Sequence, residues 1–210
     1  MYRVLIPVDD DENRALHQAR YVASLPETET VAATVLYVAR PGDLDTAGDV
    51  DFADIESAVA AAEYLETNGI AVERRVGDGS AAEEILRVAD ELDSDEVVMG
   101  GRKRSGVAQV LLGSTVRDVF VSTDRPVTIT GTEMAFASGR RRLLLPVDRN
   151  PDHARKQAAY AAGLPNAAEN VEATVLYVFP HQDYKGAPSH TFEEIDAAVE
   201  AADILEERGI

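Results

Sequence analysis

The chain repeats itself over a domain-sized interval. Val4-Leu5-Ile6-Pro7-Val8-Asp9 returns as Leu143-Leu144-Leu145-Pro146-Val147-Asp148. Ala33-Thr34-Val35-Leu36-Tyr37-Val38 returns as Ala173-Thr174-Val175-Leu176-Tyr177-Val178, and Phe52 to Ile70 returns as Phe192 to Ile210 at an offset of 140. Periods of roughly 20–50 residues mean solenoids or propellers, so one this long means tandem domains. The expected organisation is one complete unit over residues 1–131, a connector over 132–140, and the front half of a second unit over 141–210. The second copy stops where its third strand should begin. From the first copy and ordinary domain size, the natural protein is expected to continue for about 60 residues beyond Ile210. The stretch after Ile70 occurs once, and it is the part expected to hold a ligand.

Within the first copy, apolar strands alternate with segments of helical spacing. Residues 2–9 form a short, nearly continuous apolar run, as a strand covered on both faces does. Residues 12–25 place Ala15, Ala19, Val22 and Ala23 on one face, and Pro26 marks the end. Residues 31–38 read as a second buried strand. Pro41, Gly42 and Gly48 give residues 39–50 the composition of a loop. Helical spacing returns over 52–67 with Gly69 at its stop, and 70–76 form a more polar third strand nearer an edge. Ser80 with Glu83 has the capping-box pattern and opens a helix running to Leu92. Val97-Val98-Met99 is a short buried strand, followed by a loop from Gly100 to Gly106. A last helix spans about 114–123, and Pro126 to Thr130 closes the unit. Such alternation predicts an α/β fold: a doubly wound, parallel, five-stranded sheet followed by a partial second copy.

The formal charge is −18, with three lysines against seventeen arginines. Such a chain repels itself in dilute buffer, and at 1 M salt, where the Debye length is about 3 Å, that repulsion is screened. The balance resembles that of cytoplasmic proteins from salt-accumulating halophiles, and it disfavours nucleic acid and anionic membranes as partners. The absence of cysteine excludes a disulfide framework and thiolate chemistry. No stretch approaches 18 uninterrupted apolar residues, and no basic region precedes an apolar one at the N-terminus. The expected location is the cytoplasm.

The richest stretch runs from Val97 through Gly100-Gly101-Arg102-Lys103-Arg104 to Gly113-Ser114-Thr115. Glycines let backbone amides approach an anion. A helix opening at Gly113 supplies unpaired N–H groups and about half a positive charge. Ser114 and Thr115 add hydroxyls. Together these suit a polyphosphate. The alternative is ordinary turn chemistry, with the Arg102-Lys103-Arg104 cations solvated against nearby carboxylates.

The opening strand ending in Pro7-Val8-Asp9, the alternating order and the Gly100…Gly113-Ser114 spacing resemble the universal stress protein family. The resemblance covers residues 2–130 as a complete unit and 141–210 as the front half of another. It implies the adenine nucleotide alpha hydrolase-like fold, with a site between strands one and four where strand order reverses. It also implies roles. Asp9 would accept from the adenine amino group, Val38 would contact the base, and Gly100 would pass close to the ribose beside Met99. Gly113, Ser114 and Thr115 would hold phosphates. The family pattern of Gly, two residues, Gly, nine residues, Gly, Ser or Thr is broken at Lys103, where its middle glycine falls. That lysine either occludes the phosphate path or, with Arg102, pairs with phosphate as a charged donor. The implied ligand is ATP, with Mg²⁺ as a companion. Family dimers join at the closing edge strand, which implies a homodimer through residues 126–130 and an unknown protein partner.

Three further sets of residues have weaker claims. Asp9-Asp10-Asp11-Glu12 either holds Mg²⁺ near phosphates, serves Asp-x-Asp phosphoryl transfer, or reflects a helix N-terminal charge preference. The second copy keeps only the first acid, as Asp148. His17, His153, His181 and His190 show no metal-ligand spacing, and no catalytic base is evident, so any hydrolysis should be slow or incidental. Tyr37 and Tyr177 occupy matching strand positions and read as core.

Overall fold

The computed structural model describes residues 1–39, 50–103, 110–111, 113–131, 140–179 and 191–210, with the backbone alone at 102, 103, 110 and 111. The expected loop at 39–50 and the connector at 132–140 therefore lie almost entirely outside the described residues, as do Arg104, His181 and His190. The chain divides into two compact units, Met1–Phe136 and Ala137–Ile210.

In the first unit, β1 (Tyr2–Val8), β2 (Val31–Ala39), β3 (Ala71–Asp78) and β4 (Glu96–Gly100) alternate with α1 (Glu12–Ala23), α2 (Glu56–Thr67) and α3 (Ala81–Glu91). Two short antiparallel pieces follow, β5 (Arg102–Lys103) and β6 (Val110–Leu111), then α4 (Ser114–Ser122) and β7 (Val127–Thr130). The five long strands form one sheet in the order β3-β2-β1-β4-β7 with every pairing parallel. Strand order reverses at β1, which pairs with β2 on one side and β4 on the other. As its polarity suggests, β3 lies at one edge, and β7 lies at the other.

Alternation along the strands sends successive side chains to opposite faces. Leu5, Leu36, Val97 and Met99 pack with Ile85 and Val88 of α3 and Val116 and Val119 of α4. Val4, Ile6 and Val35 face the other way and are buried, as are Ala15 and Ala19 of α1 and Ala58, Ala61 and Ala62 of α2. These alanines let α1 pack closely on α2.

Gly69 has φ +82, and the amide of Ile70 bonds back to the carbonyl of Leu65 at 3.1 Å. This is the left-handed stop that glycine makes inexpensive; Gly209 has φ +76, and Ile210 bonds to Leu205 in the same way. The segment 52–67 is not one helix. Asp51 caps a 3-10 turn over Phe52–Asp54, Ile55 is extended, and α2 starts only at Glu56. Ser80 does precede α3, but its hydroxyl makes no capping bond, so the capping box is not formed. The expected Gly100–Gly106 loop includes a short strand, with Arg102 opposite Leu111 and Lys103 opposite Val110.

The second unit holds β8 (Arg141–Val147), α5 (Pro151–Gly163), α6 (Ala167–Asn170), β9 (Val171–Tyr177) and α7 (Asp196–Glu207). β8 and β9 pair in parallel, and α5 and α7 bury one face through Leu145, Val147, Ala158, Ala198, Ala201 and Leu205. The opposite face is open, with Leu144 60% and Val178 72% exposed, whereas Leu5, the first-unit counterpart of Leu144, is 0% exposed beneath α3 and α4.

One buried polar group was not legible in the sequence. Glu96 of β4 has no exposed surface. Tyr21 donates to its Oε1 at 2.9 Å, Tyr2 to its Oε2 at 2.9 Å, and Thr128 donates to Oε1 as well. The carboxyl thereby ties together β1, α1 and β7, at the end of the sheet remote from the strand carboxyl ends. Tyr21→Phe leaves a buried oxygen short of a donor and should destabilise the protein by about 1–3 kcal/mol, measured by urea unfolding.

Candidate functional site

The carboxyl ends of β1, β2 and β4 and the N-termini of α3 and α4 meet at one cleft of about 200 Å³. Asp9, Val38, Met99, Gly100, Gly113, Ser114 and Thr115 all line it. Seven of the nine expected site residues are thus brought together from segments as far apart in sequence as Asp9 and Thr115. For the other two, Arg102 and Lys103, the backbone lies in β5 and the side chains are outside the described residues.

Helix termini set much of the cleft's polarity. Gly113 is the N-cap of α4 with φ −65 and ψ 163, and no side chain caps that end. The N-terminus of α3 is likewise uncapped by a side chain, and Gly79 and Ala81 face the same cleft. First-turn amides that have no intrahelical partner and two helix dipoles therefore point toward it. The α3 terminus was not expected there; glycine at 79, with φ +87, was the available hint.

Arg14 and Gln18 also line the cleft and were not anticipated. They stand one turn apart on α1. Arg14 donates to Asp9 Oδ1 from Nε at 3.1 Å and from Nη2 at 2.9 Å, and Nη2 reaches Oδ2 at 2.7 Å. Gln18 Nε2 donates to the carbonyls of Pro7 and Val98, both at 2.8 Å. The signal lay in the repeat. Gln157 stands where Gln18 does and donates to Pro146 O at 2.9 Å, and His153 stands where Arg14 does, with Nδ1 2.9 Å from Asp148 Oδ2.

The acidic cluster resolves into separate structural partners. Asp9 faces Arg14, Asp10 accepts from the Tyr37 hydroxyl at 2.7 Å, and Asp11 caps α1 through the Arg14 amide at 3.0 Å. Tyr37 is buried and also lines the cleft, so it serves both core and site. Ser57 Oγ on α2 donates to the Asp9 carbonyl at 2.6 Å, holding the end of β1 from the other side.

The geometry gives Gly100 a second reason to be glycine. A Cβ there would lie 2.3 Å from Arg14 Cγ and 2.5 Å from Cδ. Gly100→Ala should expel Arg14 from Asp9 at a cost of about 1–3 kcal/mol. Combining it with Arg14→Ala should recover most of that cost, as read in a double-mutant cycle of unfolding free energies.

Asp148 is held below the usual carboxylate range, first by the His153 hydrogen bond and then by the Asn150 amide. A depressed folded value means stability present above the ordinary carboxylate pKa of about 3.9 and lost as pH falls through the folded value. His153→Ala should move the Asp148 titration midpoint upward, observed by carboxyl-carbon NMR.

The universal stress protein family profile matches residues 1–131. The chain belongs to that family. Among solved structures, a universal stress protein from Archaeoglobus fulgidus is similar at 26% identity with a TM-score of 0.52, covering 62% of this chain and 98% of that one. Another from Archaeoglobus fulgidus DSM 4304 shares the fold at 21% identity and a TM-score of 0.53, covering 86% of this chain and 80% of that one. A universal stress protein from Archaeoglobus fulgidus solved in complex with dAMP aligns at 22% identity and a TM-score of 0.49 over 62% of this chain and 98% of that one. No curated protein matches the sequence. Among the described residues, no helix is long and apolar enough to cross a membrane.

Proposed function

We propose that the first unit is a stress-response or signalling module that binds an adenine nucleotide, ATP with Mg²⁺, and acts through association with other protein chains. The observation that carries this reading is the convergence of two uncapped helix N-termini on the strand ends that bear Asp9, Val38 and Gly100. An acceptor at one side of the cleft suits a base amino group, and the uncapped amides with Ser114 and Thr115 suit phosphate. Asp9 and Val38 meet the base, Gly100 the ribose, and Gly113 to Thr115 the phosphates. Lys103 and Arg102 are the candidate charged donors for phosphate. Any turnover in this reading is slow or incidental. The second unit is read as the front half of another family domain.

Titration calorimetry with ATP–Mg²⁺ in molar KCl should give saturable heat, competed by ADP and AMP. Lys103→Gly should weaken binding, and Asp9→Asn should weaken it by about tenfold, one charge-assisted hydrogen bond's worth. Absence of heat sinks the reading. Association follows from β7, an edge strand of four residues at the rim of the sheet. Exposed edges pair, so sedimentation in high salt should show a homodimer.

A second reading, an association module without nucleotide, is favoured by one observation: Arg14 already engages the carboxylate that would meet the base.

A further inference from the structure

Arg14 decides between those readings, because its placement makes it more than a counter-ion. It is fastened at both ends. Its amide is held by Asp11, and its guanidinium grips Asp9 in the forked geometry that gives arginine–carboxylate pairs their directionality. Its stem fills the space left by the missing side chain of Gly100. Its side chain is 18% exposed, and it lines the cleft beside Asp9. Nε and Nη2 are used on carboxylates, and Nη1 has no hydrogen bond to any described residue. A fixed donor therefore stands next to a fixed acceptor at the strand end.

We propose that Arg14 is a base-recognition residue, which together with Asp9 reads two adjacent atoms of a nucleobase edge. This rests on the nucleotide reading above. A carboxylate alone only accepts and a guanidinium only donates. Side by side they match an edge carrying a donor next to an acceptor, as adenine does with its N6 amino group and neighbouring ring nitrogen N1 or N7. Neutral amides of Asn and Gln read the N6/N7 pair in the same two-atom way. Here the pair is charged, and it comes from a helix and a strand rather than from one side chain. Asp9 accepts a hydrogen bond from the amino group and Arg14 Nη1 donates to the ring nitrogen. The hold of Arg14 on Asp9 thereby orients the acceptor for the base instead of competing with the base for it. The second unit repeats the placement with a histidine on Asp148, so a basic group five residues beyond the strand-end aspartate is a feature of both units.

The test compares ATP, 1-deaza-ATP and 7-deaza-ATP on the wild-type chain and on Arg14→Ala and Arg14→Gln. Wild type should bind one deaza analogue about tenfold more weakly than ATP, the loss expected for one hydrogen bond. In both variants ATP binding should weaken by about tenfold, and the ratio between ATP and that analogue should fall to about one. Each ratio is read within one protein, so partial unfolding of a variant cancels. Equal binding of all three nucleotides by wild type, an unchanged ratio in the variants, or tighter ATP binding by Arg14→Ala would overturn the proposal while leaving nucleotide binding intact. No ATP binding by any of the three proteins overturns both readings together.

Discussion

Everything at the cleft depends on how β1 and β4 part company. Their register covers only Val4↔Glu96 and Leu5↔Val97, whereas β1 stays paired with β2 through Val8↔Tyr37. Past Leu5 the two strands no longer satisfy each other, and Pro7 has no N–H to donate. A buried carbonyl without a partner is costly. Gln18, itself 2% exposed, supplies one amide group to both Pro7 and Val98. One side chain thus replaces the missing rungs and holds the strands together while their ends separate. The separation opens the crevice that the strand-order reversal creates in doubly wound sheets.

Arg14 then occupies the floor of that crevice. Its position follows from Gln18, since both lie on one face of α1 a turn apart. Gly100 admits it, Asp11 fixes its backbone and Asp9 receives its head. Both units place a basic side chain on the strand-end aspartate, arginine in one and histidine in the other.

Much of the fold could be read from local pattern. Apolar runs bounded by turn residues marked β1, β2 and β4, because parallel strands buried on both faces cannot be polar, whereas β3 is polar and lies at an edge. Gly69 was readable because only a left-handed stop calls for glycine there. The misses have specific causes. Ile55 breaks a segment whose apolar spacing is helical throughout, because periodicity does not register one extended residue. Ser80 and Glu83 match a cap in sequence, but a hydroxyl can point elsewhere. Glu96 lies just outside the apolar run Val97-Val98-Met99, and its burial is made tolerable by three hydroxyls from distant segments.

The sequence by itself determined the family, the strand–helix order and the residues that could meet a nucleotide, since these follow from periodicity, glycine placement and the repeat. Only the tertiary structure decided which of them share one cleft, and that Arg14 and Gln18 belong with them. Arginine and glutamine on a helix face look like ordinary solvated residues. Their roles exist only once α1 is laid across the diverging ends of β1 and β4, where carbonyls and a carboxylate need donors that no neighbour in sequence can supply.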